Sequence, residues 1–173
     1  SGVKAGPCEN INIQDNTVYH AHGGFVIGSE FSGGMKNILV RNNTFQGTDA
    51  GLRFKSAVKR GGKTENIFID HIYMTDITGD AITFETTYFD NHVGAKKSNA
   101  PVKQEYLPNF QDIHISNVYV RGCKNGIVAH GAEGMVHDIT IKDTYILYNQ
   151  KAQDINETCK IKLENVNFST FAK

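Results

Sequence analysis

The chain has no tryptophan, 3 prolines and 3 cysteines in 173 residues. Cys8, Cys123 and Cys159 are too few and too scattered for a disulfide scaffold or a zinc module. No apolar run approaches the roughly 18 residues a membrane-crossing helix needs. Net charge is also missing, since 18 Lys and Arg balance 18 Asp and Glu. That argues against a generally basic nucleic-acid binder, though it leaves room for a local basic patch. Disorder is excluded by 39% apolar and 21% charged residues, a globular composition. The chain opens Ser1-Gly2-Val3-Lys4 without a methionine or a signal peptide, which reads as a processed product or a piece of something longer.

What the chain does contain is an internal repeat. Asn10-Ile11-Asn12-Ile13-Gln14-Asp15 shares its pattern with Asn37-Ile38-Leu39-Val40-Arg41-Asn42 and Asn66-Ile67-Phe68-Ile69-Asp70-His71. Asp112 to Asn117 and Asp138 to Asp143 repeat it, and Ile161 to Asn165 is a weaker copy. The first isoleucines lie at 11, 38, 67, 113, 139 and 161, in steps of 27, 29, 46, 26 and 22. Alternation at period two means short strands with one buried face. A step in the twenties is too long for a hairpin, and no helical stretch is present to make a βαβ unit. It fits one turn of a right-handed parallel β-helix of about five to six coils. The recurring Asn or Asp closes each strand, since these residues tolerate tight bends, and stacked copies can form ladders. An antiparallel β-sandwich is disfavoured, because Asn125-Gly126 is the lone Asn-Gly hairpin signal.

A second strand per coil aligns as Phe25-Val26-Ile27, Leu52-Arg53-Phe54, Ile82-Thr83-Phe84 and Ile127-Val128-Ala129. Its first and third positions point inward. Val26, Arg53, Thr83 and Val128 form one outward row, and Gly28, Lys55, Glu85 and His130 the next. Residues 89–109 carry no repeat signature and two of the three prolines, so they read as a long surface loop inserted into a single domain over 1–173.

The stretch from His22 to Glu30, then Ser32-Gly33-Gly34, Gly51-Leu52-Arg53-Phe54-Lys55 and Gly61-Gly62, resembles the polygalacturonases of glycoside hydrolase family 28. That family has a right-handed parallel β-helix and four motifs in order: Asn-Thr-Asp, Asp-Asp, Gly-His-Gly and Arg-Ile-Lys. The third is matched by Ala21-His22-Gly23 and the fourth by Arg53-Phe54-Lys55. The first two occur nowhere in the 173 residues. The resemblance therefore implies the C-terminal part of a longer enzyme, with its catalytic aspartates upstream and this fragment inactive alone.

The resemblance implies inverting hydrolysis of galacturonosidic bonds, for which two carboxylates stand roughly 6.5–9.5 Å apart. His22 would support a catalytic carboxylate. The alternative for His22 is a backbone-bonded residue at a bend; His20 and His22 lack a third ligand for a metal. Arg53 and Lys55 offer a bidentate and a point cation to a uronate carboxylate. Residues 53–63 hold five cations and no acidic residue, through Lys59, Arg60 and Lys63. Tyr88 follows Arg53 by 35 residues, near where the resemblance places a sugar-stacking tyrosine; a structural tyrosine reads equally well. Asp49 and Asp80 read as turn-capping residues, and Glu85 and His130 as further lining of the same face.

The expectation is a pectin-degrading hydrolase with a pectic polysaccharide substrate, no cofactor, no metal, no nucleic acid and no membrane partner. The resemblance places it in a secreted or periplasmic setting. A β-helix cut between coils exposes an edge and its apolar core, so the isolated fragment is expected either to self-associate through the N-terminal coil or to be only marginally stable. The rival reading is a non-catalytic β-helix module that binds an acidic polysaccharide. A calcium-dependent pectate lyase would need clustered acidic ligands, which the outward rows lack.

Overall fold

A computed structural model describes residues 6–87 and 106–171. Nine strands are found among them, with no α-helix: β1 (Cys8–Gln14), β2 (Thr17–Tyr19), β3 (Phe25–Ile27), β4 (Met35–Gln46), β5 (Leu52–Lys55), β6 (Thr64–Glu85), β7 (Ile113–His130), β8 (Ile139–Ile155) and β9 (Ile161–Thr170). All pairings between them are parallel. Strands β1, β2 and β3 together make the first coil. The second is built of β4 and β5, and β6, β7, β8 and β9 each carry one of the coils that follow. This is a right-handed parallel β-helix.

The repeat isoleucines stack as expected. Ile11 pairs with Ile38, Ile38 with Ile67, Ile67 with Ile113, Ile113 with Ile139 and Ile139 with Ile161. The register survives the step of 46, so the insertion leaves the coil without displacing the sheet. The last residues assigned to that insertion rejoin the solenoid. Asn109 bridges to Lys63 and Phe110 to Val136. Phe110 is fully buried, its ring stacked on Phe31 at 5.1 Å.

The bends use left-handed backbone, which L-residues other than Asn and Asp rarely visit. Asn10, Asn37, Asn66, Asp112 and Asp138 have φ between 51° and 59°. A second row of Asp15, Asn42, His71, Asn117, Asp143 and Asn165 has φ between 49° and 60°. These side chains also bond from coil to coil. Asn37 Nδ2 donates to Asn10 Oδ1 at 3.0 Å, and Asn66 Nδ2 to Asn37 Oδ1 at 2.8 Å.

One polar ladder is inside. Asn43, 2% exposed, donates to the carbonyls of Ile13 (2.9 Å) and Arg41 (3.1 Å) and accepts from Asn16 N and Nδ2, both at 3.0 Å. All four of its hydrogen-bonding positions are used. No disulfide forms: Cys8 is exposed, and Cys123 and Cys159 are buried free thiols. Burial, helped by the Asp80 charge, pushes the Cys123 thiol up to about 12.

Asn43→Ala should lower unfolding free energy by about 1–3 kcal/mol, because it strands buried backbone groups. The exposed Asn12→Ala should change it by no more than about 0.5 kcal/mol. Urea denaturation of both variants checks this, and equal losses would deny the ladder its role.

Candidate functional site

The candidate site is formed by the outward rows of β3 and β5 and of the aligned segments of β6 and β7. Phe54 sits inward, fully buried, stacked on Phe84 at 4.6 Å and edge-on to Phe25 at 6.3 Å. Strand alternation then turns Arg53 and Lys55 outward. Arg53 pairs in register with Val26 on one side and Thr83 on the other, and Lys55 with Glu85. Gly28 lies beside Lys55. A Cβ at Gly28 would stand 1.8 Å from the Lys55 carbonyl oxygen, and its φ is +104°. Only glycine fits there, and it lets the two backbones approach closely.

His22 lies at the bend that leads into β3. Its Nδ1 is 2.7 Å from Asp49 Oδ2, and Thr78 Oγ1 donates to Asp49 Oδ1 at 3.2 Å. The imidazole is 98% exposed, so its other nitrogen faces solvent. The hydrogen bonds from His22 and Thr78 hold the Asp49 carboxyl below its ordinary range, and the Arg53 charge adds to the effect. An ionised carboxylate only accepts hydrogen bonds, so His22 Nδ1 carries the proton between them. Asp49 therefore does other work than capping a turn. The clue was arithmetic: 49 − 22 is 27, the same step that separates the first two coils.

Asp80 does play a structural part, accepting from Asn125 Nδ2 at 2.8 Å across coils. Glu85 and His130 come together in a cavity of about 430 Å³ that also takes in Asp80, Lys124, Lys151 and Asp154. Asp154 binds Lys151 Nζ at 3.1 Å and His130 Nε2 at 3.3 Å. Sequence reasoning missed Lys151 and Asp154, because the fifth coil reads Gln153-Asp154-Ile155 without the glycine and paired apolar residues of the others.

The basic patch divides. Arg53 and Lys55 share the outward face, whereas Lys63 precedes β6 and pairs with Glu65 at 3.4 Å. Arg60 reaches Ser29 Oγ at 3.5 Å. The backbone of Lys59 donates to the Tyr106 carbonyl at 3.0 Å, where the chain returns from the insertion. Tyr88 lies outside the described residues. Among the described residues no group of three His, Cys, Asp or Glu side chains is placed to hold a metal ion.

Comparisons with known proteins converge on one family. Residues 2–170 match the family described as glycosyl hydrolases family 28. A polygalacturonase of Ralstonia solanacearum is 31% identical over 170 residues, 96% of this chain and 27% of that protein. An exo-poly-alpha-D-galacturonosidase of Dickeya chrysanthemi is 26% identical over 96% of this chain and 27% of its own length. The crystal structure of a hyperthermoactive exopolygalacturonase from Thermotoga maritima superposes with a TM-score of 0.80 at 34% identity, covering 94% of this chain and 35% of that one. The chain thus spans about a quarter to a third of the length of these relatives.

A carboxyl held low in the fold adds stability above its ordinary titration range and loses it as pH falls through the folded value. A carbon-detected NMR titration should place the Asp49 midpoint below the ordinary value for aspartate, about 3.9. His22→Ala should move it upward, and an unmoved midpoint would break the assigned contact.

Proposed function

Since the chain belongs to family 28 of the glycosyl hydrolases, we propose that it forms the C-terminal part of an enzyme that hydrolyses galacturonosidic bonds in a pectic polysaccharide. The observation that carries this reading is the joint placement of His22, Asp49 and Arg53, with Lys55 two residues on along the same strand. His22 is bonded to Asp49, Arg53 is close enough to act on the Asp49 carboxyl electrostatically, and Lys55 ends the strand that Arg53 begins to expose.

Arg53 and Lys55 hold the uronate. The guanidinium presents a planar pair of donors to a carboxylate, and the ammonium presents a point charge. His22 stands at the edge of the same face, exposed toward the reacting bond. The proposed general acid and water-activating base are aspartates of the upstream part of the enzyme, and the inverting reaction proposed here requires them to stand roughly 6.5–9.5 Å apart, with room for an attacking water. No metal or organic cofactor enters the reaction, and a cell-wall substrate goes with a secreted or periplasmic enzyme. Two facts support this division: neither aspartate motif occurs in the 173 residues, and the chain spans only about a quarter to a third of the length of its relatives.

The missing motifs also favour the second reading, a non-catalytic module that binds an acidic polysaccharide. Release of reducing ends from polygalacturonate by the full-length protein, and none by this chain alone, is the outcome expected of an enzyme half. Binding without release by the full-length protein would favour the module. In the full-length enzyme, Arg53→Ala or Lys55→Ala should raise KM for polygalacturonate roughly 10-fold or more, the size of a charge-assisted hydrogen bond. The increase should shrink on a fully methyl-esterified chain, whose units carry no carboxylate. An equal effect on both substrates would refute uronate recognition by these two residues.

A further inference from the structure

We propose that Asp49 is a positioning residue for His22, with Thr78 fixing its carboxylate from the far side. The inference rests on the placement of His22 in the working site argued above.

The three residues occupy one row of the solenoid. His22, Asp49 and Thr78 are separated by 27 and 29 residues, the steps between their coils. The backbone keeps them in line, since Asp49 N donates to Ala21 O at 2.9 Å and Thr78 N to Thr48 O at 3.1 Å. Each carboxylate oxygen has its own donor: Oδ2 takes His22 Nδ1 at 2.7 Å and Oδ1 takes Thr78 Oγ1 at 3.2 Å. Two donors on opposite oxygens fix the plane of the carboxylate, not only its distance.

That arrangement has one consequence at the imidazole. The carboxylate offers lone pairs only, so the proton of a neutral ring stays on Nδ1 and the outward Nε2 is left as an acceptor. An asparagine in the same place presents either a carbonyl oxygen or an amide NH₂ to the ring, and the tautomer is no longer imposed. His22 and Arg53 are the charged groups that act on Asp49, and both favour its ionised form. The device is therefore in place throughout the range where the carboxyl is deprotonated. It works through His22 and needs no contact of its own with the substrate.

The test uses the full-length protein with Asp49→Asn, Asp49→Glu, His22→Ala and the Asp49→Asn/His22→Ala double variant, assayed on polygalacturonate. Asp49→Asn should lower kcat roughly 10–100-fold, by analogy with the loss of a group that orients a metal-ligating histidine, with KM unchanged within about twofold. Asp49→Glu should restore part of the loss, and the double variant should match His22→Ala within about twofold, because the two residues act as one unit. Losses that multiply in the double variant, or a loss confined to KM, would overturn the inference while leaving the site itself standing. If His22→Ala retains full activity, the placement of His22 falls and the inference falls with it. An activity-independent readout is the ¹⁵N shift of the His22 ring, followed to the pH at which the ring is neutral: one Nδ1–H tautomer in the parent and a mixture in Asp49→Asn. Identical ring shifts in the two proteins would also overturn it.

Discussion

Backbone hydrogen bonding between coils fixes the height of every side chain in this protein. Parallel ladders hold equivalent residues about 4.8 Å apart, and the register runs from Ile11 to Ile161 through six copies. A residue's neighbour is therefore found one coil away, 22 to 46 positions along the chain. Insertions are absorbed as long as they return to the ladder. The ladder resumes where the insertion assigned to 89–109 ends, because Asn109 bridges to Lys63 and Phe110 stacks on Phe31 in the core.

The same constraint explains the chemistry of the corners. A coil needs sharp bends, and here they are made by left-handed residues. Such a conformation costs an ordinary L-residue about 1–2 kcal/mol. Asn and Asp reduce that cost by local bonding, and stacking then brings identical groups into line. The donor–acceptor symmetry of the amide lets Asn10, Asn37 and Asn66 bond in series. Where aspartate replaces asparagine, the partner must donate, as Asn42 does to Asp15 and Asn165 to Asp143. The buried amide of Asn43 obeys the same accounting under stricter conditions, since at 2% exposure its groups must be satisfied by the protein.

Much of this was legible in the sequence. The isoleucine spacing gave coil, register and inward face, and the Arg53-Phe54-Lys55 alternation put both cations outside. The pairing of Asp49 with His22 was harder to read, because bend residues are judged by their local turn chemistry and an aspartate before Ala50-Gly51 looks like a cap. Its partner is remote in sequence and adjacent only through the ladder. Lys151 and Asp154 were hidden for a different reason. The fifth coil keeps its place in the sheet through backbone bonds to β7 while losing the apolar pattern, so periodicity alone passes over it. The burial of Phe110 went unread because it depends on Phe31, Phe54 and Phe84 arriving from three other coils.

A solenoid of this kind separates what holds it together from what it does. Inward positions of the third strand are filled by Phe25, Leu52, Phe54, Ile82, Phe84, Ile127 and Ala129, all buried. Outward positions vary in charge from coil to coil: Arg53 aligns with Thr83, Val128 and Asp154, and Lys55 with Glu85 and His130. Burying an aromatic ring contributes a few kcal/mol through apolar contact, whereas an exposed outward charge contributes about 0–1 kcal/mol to folding. The charged rows are thus free to be set by a ligand, because the fold asks almost nothing of them. The positive pair lies in the same coil as Asp49 and one coil from His22, and Glu85 stands in register with Lys55 in the next coil. The outward face is therefore positive nearest His22 and changes sign one coil later, a polarity along the axis that the apolar core neither requires nor opposes.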